Sequence, residues 1–468
     1  MYSKQNIIIG LSILSCIILH FISYSPYGET PHYLSIFSSF FVFLTIYPIV
    51  IDKRIVNIYI TPFITLNWIY FQSPFILEEK THYYTRVILD EYIPDISFYT
   101  ALAIPLIYIG YFYFFKAVQP ITSKEFKFSN DNLRKLTLFF VGLSILHRLG
   151  LSFAPDLTNS LSNIIQLLFY SPTIALALYG LYILRTKSIP TLNFFHIVTI
   201  GALLSELLIR ISTTMFVSTA LLFSGLLIAY FYEKRKIPIT YLLILSLVLV
   251  PFYFTRKYFR AMSEKTSLES VSQLERGQLF LENIYSDEGQ KNIDKFTERT
   301  ERKEIYQKNR FENLSFISQV VYHHKKRDRP FLKGESFYWL PLAPIPRIIF
   351  PGKPENLMAT EVSESYGLRG KGSTAAINFP MLVEAYINFD FYGILLLSLC
   401  FGLGFKWFVM KFGAGVGDIN LLIIINCIKQ FTHAEGNITL VFGALIQVFI
   451  FWYVILSLLK INNQTTQA

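Results

Sequence analysis

The sequence contains few charged residues for a chain of 468 residues. Charged side chains make up 16% of it and hydrophobic side chains 53%, with 44 Phe and 30 Tyr among them. This composition excludes an ordinary soluble domain, because so much apolar surface would need an unusually large core to keep it from water. A polytopic membrane protein needs no such core, since lipid covers the apolar faces of its helices.

Cysteine is also scarce. The three cysteines, Cys16, Cys400 and Cys427, all lie in apolar runs, so they indicate neither a disulfide framework nor a zinc site. The first apolar run, residues 6–24, lacks the small-residue cleavage site of a signal peptide, and we expect a retained helix there. The predicted outer segments lack an Asp-rich cluster of the kind that holds Mg²⁺, and we predict neither a metal nor a cofactor.

Apolar runs long enough to cross a bilayer recur along the chain. They predict twelve spans, at residues 6–24, 32–51, 55–72, 97–117, 134–153, 160–184, 192–209, 213–232, 238–255, 386–410, 417–433 and 437–460. The chain then divides into the first nine spans (1–255), a long polar insertion (256–385) and the last three spans (386–468). We therefore predict an all-α polytopic membrane protein.

The distribution of basic residues predicts the orientation of these spans. With the N-terminus placed in the cytoplasm, basic residues outnumber acidic ones in the predicted cytoplasmic segments, whereas acidic residues prevail in the short outer segments. The positive-inside rule then places both termini in the cytoplasm and the long insertion outside. The net charge of +10 is accounted for by cytoplasmic loops and lipid headgroups, so we do not expect nucleic acid as a partner.

The predicted outer insertion has two parts of different character. Residues 290–326 contain no Pro or Gly and carry apolar residues at helical spacing, which predicts one or two helices outside the membrane. Residues 331–354 contain five prolines that prevent a continuous helix. Arg347 and Lys353 lie among these prolines, and Arg369 follows in a glycine-rich turn. A rigid cationic segment beside a membrane domain suits the binding of a phosphorylated lipid.

Several of these motifs together resemble a known family. Residues 334–354 resemble a motif of the bacterial O-antigen polymerases, the Wzy-type oligosaccharide repeat-unit polymerases. Arg310 followed by Phe resembles a pair in the same loop of that family, and Arg210 with the residues after it resembles its Arg-containing start of a span. Residues 384–393 resemble the element where the chain re-enters the membrane. Residues 429–436 depart from the family, which often has an Arg-Gly-type element there.

The resemblance implies a function and a setting. It implies a GT-C-like membrane glycosyltransferase of the bacterial inner membrane, which polymerises undecaprenyl-diphosphate-linked oligosaccharide repeat units into O-antigen of lipopolysaccharide or a related surface polysaccharide. The growing chain moves from its lipid diphosphate to a new lipid-linked repeat unit at the outer leaflet. The expected partners are this lipid-linked oligosaccharide, membrane lipids, a chain-length regulator and a flippase.

Such a reaction needs fixed cations around the leaving diphosphate. Arginine supplies them, because its guanidinium stays charged and holds phosphate through two parallel donors. Arg210 is the first catalytic candidate, since an ionisable residue near the end of a span is costly; the alternative is an ion pair with Glu206, four residues earlier. Arg347 is the second, and the alternative for it is a headgroup anchor.

Two further catalytic candidates lie at predicted outer helix ends. Glu384 could accept the acceptor hydroxyl proton, or it could pair with an arginine. His433 stands between the last two predicted spans, where a lone histidine is more often a surface residue. The remaining candidates are cations for substrate binding, of which the first two share a helix face and could instead extend to the membrane interface. They are Arg256, Arg260, Arg310, Lys353, Arg369 and Lys429.

Two other functions fit parts of the pattern. An O-antigen ligase would share the donor but transfer the glycan to the lipid A core. The ligase is expected to use an outer-loop histidine, for which His433 and His323 are poor candidates. A lipid-linked oligosaccharide flippase would have two similar halves and short loops, whereas this sequence has a long insertion and no evident internal repeat.

Overall fold

A computed structural model of the chain gives its fold. The structure describes residues 4–25, 27–52, 57–77, 90–114, 127–153, 171–186, 193–212, 216–243, 245–247, 282, 286, 291, 314–338, 340–343, 345, 349–350, 361–368, 379–412, 417–432 and 436–458. Within these ranges every regular element is a helix. The prediction of an all-helical chain is therefore confirmed for the part that the structure describes.

The long helices follow the predicted apolar runs. They are α1 (Lys4–Ile22), α2 (Glu29–Ile51), α3 (Asn57–Phe71), α4 (Ile93–Phe112), α5 (Asn130–Phe153), α6 (Ser171–Thr186), α7 (Phe194–Ser212), α8 (Phe216–Lys234), α9 (Leu314–Lys326), α10 (Met381–Phe412), α11 (Asp418–Thr432) and α12 (Ile438–Leu458). Short helical turns lie at Pro74–Leu77, Asp90–Tyr92, Glu335–Phe337, Leu340–Leu342 and Ser363–Ser365. Helix α9 belongs to the predicted outer insertion, and each other long helix overlaps one predicted span. Half of the predicted span 238–255, namely residue 244 and residues 248–255, lies outside the described residues.

Four of the described helices are long and apolar enough to cross a membrane. These are α1, α2, α4 and the Met381–Met410 part of α10. Helices α11 and α12 contain shorter apolar stretches, Asp418–Cys427 and Ile438–Trp452. The chain is thus a helical protein with membrane-spanning character, while the total of twelve spans and the GT-C-like arrangement stay predictions.

The chain divides into two compact units. The first contains Met1–Glu125, Ile305–Val416 and Cys427–Tyr453. The second contains Phe126–Glu304, Gly417–Asn426 and Val454–Ala468. The three predicted regions follow the order of the chain, whereas each of these units combines segments that are distant in sequence.

Helices α4 and α10 cross at very short distance in the first unit. A Cβ atom built on Gly402 would lie 2.3 Å from the carbonyl oxygen of Ile107, and one built on Gly110 would lie 2.6 Å from that of Leu399. Both distances are too short for any residue with a side chain. Glycine at a helix crossing lets the two backbones approach closely. This crossing sets the position of α10, which carries the candidate residue Glu384.

We expect Gly402→Val to destabilise the first unit strongly. The valine side chain would force α4 and α10 apart, and overpacking of this kind costs about 1–3 kcal/mol or more. The matched control is Gly142→Ala in α5, where a Cβ atom would meet nothing within 4 Å. That change should be neutral or slightly stabilising, because alanine favours a helix. Thermal unfolding of the purified proteins in detergent would show equal melting temperatures if the crossing were wrong.

In the second unit, α6 packs against α5 and α8. A charged cluster joins the ends of α6, α8 and α11. Arg185 at the end of α6 donates to both carboxylate oxygens of Asp418, at 2.7 and 2.8 Å. Its Nη2 also donates to Glu233 of α8 at 3.0 Å. Asp418 is fully buried at the start of α11 and accepts a further bond from the backbone N–H of Phe128, at 2.7 Å. A single guanidinium thus connects α6, α8 and α11.

Candidate functional site

A break in α10 separates a buried half-helix from the rest of that helix. Phe389 has φ −142° and ψ 28°, and Asp390 has φ 58° and ψ −161°, so neither residue is helical. Every residue from 379 to 388 is buried. We call residues 381–388 the buried half-helix. A helix that is buried on every side must be covered by other parts of the protein.

Part of the cover comes from residues 314–338 and 361–368, which we call the outer layer. The Phe316 ring meets Phe379 with a centroid distance of 5.6 Å, just before the half-helix. The rings of His324 and Phe331 lie 5.6 and 5.9 Å from that of Tyr386. The half-helix is therefore the core around which part of the predicted outer insertion folds, and it begins five residues before the predicted span 386–410.

Backbone donors of the outer layer satisfy the carbonyl groups that the break leaves open. The N–H of Leu332 donates to the carbonyl of Ile387 at 3.0 Å, and that of Lys333 donates to the carbonyl of Asn388 at 3.1 Å. The N–H of Gly334 donates to Oδ1 of Asn388 at 2.9 Å. A helix end leaves its last carbonyls without intrahelical partners. These hydrogen bonds supply the missing partners and attach the outer layer to the end of the buried half-helix.

Glu384 lies within the buried half-helix and is fully buried. Its Oε2 accepts a hydrogen bond from the backbone N–H of Ile438, the first residue of α12, at 2.7 Å. A carboxyl oxygen at a helix N-terminus satisfies a backbone donor that has no partner within the helix. Among the described residues no arginine forms an ion pair with Glu384. The structure therefore positions this predicted base as a link between α10 and α12.

His324 is the centre of a hydrogen-bonded aromatic cluster in the outer layer. Its Nδ1 donates to the carbonyl of Arg329 at 2.7 Å, and its Nε2 accepts from the Tyr366 hydroxyl at 2.7 Å. The ring stacks on Phe331 with a centroid distance of 4.2 Å and an interplanar angle of 5°. The neutral imidazole with its proton on Nδ1 fits both bonds, because the carbonyl needs a donor and Nε2 then accepts from the hydroxyl. Burial lowers the pKa of His324 and raises the pKa of Tyr366 to about 12.

The outer layer should therefore lose stability at acidic pH. The pKa of His324 is lower in the folded state than its unfolded value of about 6.5. Its contribution to folding is complete above about pH 6.5 and is lost as the pH falls through the folded-state pKa. We expect a lower melting temperature at pH 5 than at pH 7.5, and a smaller difference in His324→Gln. Equal pH dependence of the two proteins would contradict this assignment.

Arg210 lies in the last turn of α7, in the second unit, and is only 1% exposed. Its Nε donates to Oε1 of Glu206 at 2.7 Å. Arg148 of α5 donates to both oxygens of the same carboxylate, at 2.9 and 2.6 Å. The ion pair that the sequence offered as the alternative for Arg210 is thus present. The predicted site residues did not include Arg148, although an arginine near the predicted outer end of span 134–153 meets the criterion that selected Arg210.

Three of the ten predicted site residues lie among the described residues. The side chains of Arg210 and Glu384 are described and belong to different units. Lys429 lies in α11, but only its place in the helix is described. The rest lie outside the described residues: Arg256, Arg260, Arg310, Arg347, Lys353, Arg369 and His433. Among the described residues no group of three or more His, Cys, Asp or Glu side chains could hold a metal ion.

Comparison with known proteins finds no matching family model, no matching curated protein and no matching solved structure. The resemblance to the O-antigen polymerases therefore depends on the sequence motifs alone. The structure adds the geometry of the outer layer, the break in α10 and the cluster of Arg148, Glu206 and Arg210.

Proposed function

We propose that the protein is a membrane glycosyltransferase that polymerises undecaprenyl-diphosphate-linked oligosaccharide repeat units at the outer leaflet of the inner membrane. The observation that carries this proposal is the outer layer folded onto the buried half-helix of α10. The substrate of such an enzyme is half lipid and half sugar, so the site must lie where a membrane span meets folded protein outside the bilayer. The outer layer and α10 supply that combination.

The length of α10 supports this position of the outer layer. After the break, the helix continues for about 22 residues, which corresponds to about 33 Å at 1.5 Å per residue. The hydrocarbon core of a bilayer is about 30 Å thick. The part of α10 after the break is therefore sufficient to cross the membrane alone. The half-helix and the layer around it would then lie above the hydrocarbon, as the predicted orientation requires.

The described ion pairs support the same orientation. Helix ends on opposite sides of a bilayer cannot meet, so an ion pair joins two ends on one side. Lys4–Asp52 and Arg185–Asp418 join residues that the positive-inside rule assigns to the cytoplasm. Pairs between residues assigned to the outer side are Arg148–Glu206, Lys325–Asp390 and Lys326–Glu91.

In this proposal, arginines hold the lipid diphosphate while the glycan is transferred. Among the described arginines, Arg210 is the principal candidate, and Arg148 is the second because it shares Glu206 with Arg210. Arg347 stays a candidate from the sequence alone. A guanidinium whose position is fixed by a carboxylate in a dry environment can stabilise the charge that develops on the leaving diphosphate without reorganisation. Glu384 acts as a positioning residue, since it holds the start of α12.

The histidines of the outer layer disfavour the ligase alternative. A ligase is expected to use an outer histidine that is free to move a proton. Both ring nitrogens of His324 are occupied, by the Arg329 carbonyl and the Tyr366 hydroxyl, and His323 is also buried. The His324 imidazole therefore offers no open nitrogen to a substrate in the manner of a general base.

The surface glycan of a deletion strain of the source bacterium tests the function. Loss of a polymerase leaves single repeat units on the lipid core, loss of a ligase leaves lipid-linked polymer and an uncapped core, and loss of a flippase leaves neither. We expect the first pattern, with a full glycan ladder restored by the wild-type gene and by Lys135→Ala, a change of an exposed residue on α5. Arg347→Ala should restore no ladder at normal membrane levels. Either of the other two patterns would refute the proposal.

A further inference from the structure

The break in α10 is held in an unusual backbone conformation. Asp390 has φ 58° and ψ −161°, a region that residues other than glycine rarely adopt. Its Oδ1 accepts from the N–H of Phe391 at 2.8 Å, and its Oδ2 is 3.2 Å from Nζ of Lys325 in the outer layer. Such strain persists only where surrounding contacts enforce it, and it is concentrated at functional sites.

The Lys325–Asp390 pair is accessible to solvent. The side chain of Lys325 is 38% exposed and that of Asp390 is 27% exposed. A donor and an acceptor therefore stand side by side at the predicted outer boundary of the membrane. Tyr386 lies next to the same carboxylate from the buried side.

Exposed aromatic rings lie at the same break in α10, where Phe389 precedes Asp390 in the chain. Phe389, the first residue of the break, is exposed, and its ring lies 6.2 Å from that of Phe337 in the outer layer. Tyr338 follows Phe337 and is also exposed. A Cβ atom on Gly334 would lie 3.5 Å from the Phe389 ring, so the ring rests against the turn that starts with this glycine.

This combination of groups suits a sugar better than a phospholipid headgroup. The flat face of a pyranose ring packs on an aromatic ring, and its hydroxyls bond to neighbouring carboxylate and ammonium groups. A phosphate-binding surface would instead concentrate cations and would exclude a central carboxylate. We propose that Asp390, Lys325 and the Phe389 ring form a binding subsite for a sugar of the oligosaccharide. The inference rests on the proposed function and assigns it a glycan contact separate from the arginines that hold the diphosphate.

The subsite can be tested by binding to the full-length protein in lipid nanodiscs. The probe is the repeat-unit oligosaccharide released by mild acid from the lipid-linked pool of the source strain, and its affinity is measured by saturation-transfer NMR titration. We expect at least a tenfold weaker affinity in Asp390→Gly and in Lys325→Gln. Glycine accepts the backbone conformation of residue 390, so the first variant removes the carboxylate but keeps the break. Lys326→Gln is the matched control, since Lys326 is the exposed neighbour that pairs with Glu91 instead.

Two results would overturn the subsite. One is wild-type affinity in Asp390→Gly and Lys325→Gln, or no binding to the wild-type protein. The other is that the pair governs binding to vesicles of anionic phospholipid and not to the oligosaccharide. A normal glycan ladder from strains with either variant, together with unchanged affinity, would refute the subsite but leave the polymerase proposal intact. Specific binding without restoration of polymer by the wild-type gene would refute the proposed function and leave the subsite.

Discussion

Replacing Arg210 by alanine should abolish polymer formation and leave most of the protein folded in the membrane. The carboxylate of Glu206 would keep its two bonds from Arg148, at 2.9 and 2.6 Å, so the change leaves no buried charge alone. The guanidinium assigned to the leaving diphosphate would be lost, and removal of one fixed donor from such a site costs about 100-fold or more in rate. Arg210→Lys should recover only part of the activity, because lysine lacks the planar fork.

Glu206→Ala provides the matched comparison. This change leaves the guanidiniums of Arg148 and Arg210 next to each other without the carboxylate that they share. Removal of one partner from a buried charged group destabilises a protein by about 3–5 kcal/mol. We therefore expect a low melting temperature and low membrane levels for Glu206→Ala, but not for Arg210→Ala. If both variants lost stability equally, Arg210 would be a structural residue and would leave the list of catalytic candidates.

Helix positions could be predicted where an apolar run lies between polar residues. Helices α1, α2 and α4 begin within a few residues of their predicted starts, because the hydrophobic thickness of a bilayer fixes the length of such runs. The start of α10 could not be predicted in this way. Its first turns are buried by protein rather than lipid and contain the polar Glu384, so hydrophobicity does not mark the start of the helix at Met381.

The break in α10 was equally hidden in the sequence. Proline and glycine are the usual signals for a helix break, and Phe389 and Asp390 are neither. The break depends on the backbone donors of Leu332 and Lys333, which reach α10 from more than fifty residues away in sequence. A contact at that separation has no local sequence signal.

The candidate site was predictable only for partners that are close in sequence. The pair of Glu206 and Arg210 follows from helical spacing of four residues. The second guanidinium, Arg148, comes from another helix, and a single sequence does not reveal which helix faces meet. Glu384 likewise bonds to Ile438 of α12. The sequence predicted that Glu384 acts as a base or pairs with an arginine, because it does not reveal which residue lies beside the carboxyl group.

Replacing Arg185 by leucine should strongly destabilise the second unit. Arg185 neutralises Asp418, which is fully buried, together with Glu233. Without the guanidinium these two carboxylates would face each other in a dry environment, at an expected cost of about 3–5 kcal/mol. The measurement is thermal unfolding of the purified protein in detergent, with the fraction of monodisperse protein as a second readout.

An exposed ion pair supplies the control for this prediction. Lys135 and Asp131 are paired at 2.6 Å on α5, but their side chains are 72% and 65% exposed, so Lys135→Leu should cost at most about 1 kcal/mol. The double variant Arg185→Leu with Asp418→Asn should regain part of the lost stability, because it removes one of the two uncompensated carboxylates. If Arg185→Leu melted at the temperature of Lys135→Leu, the cluster would not hold α6, α8 and α11 together. The ends of these helices could then no longer be assigned to one side of the membrane from this contact.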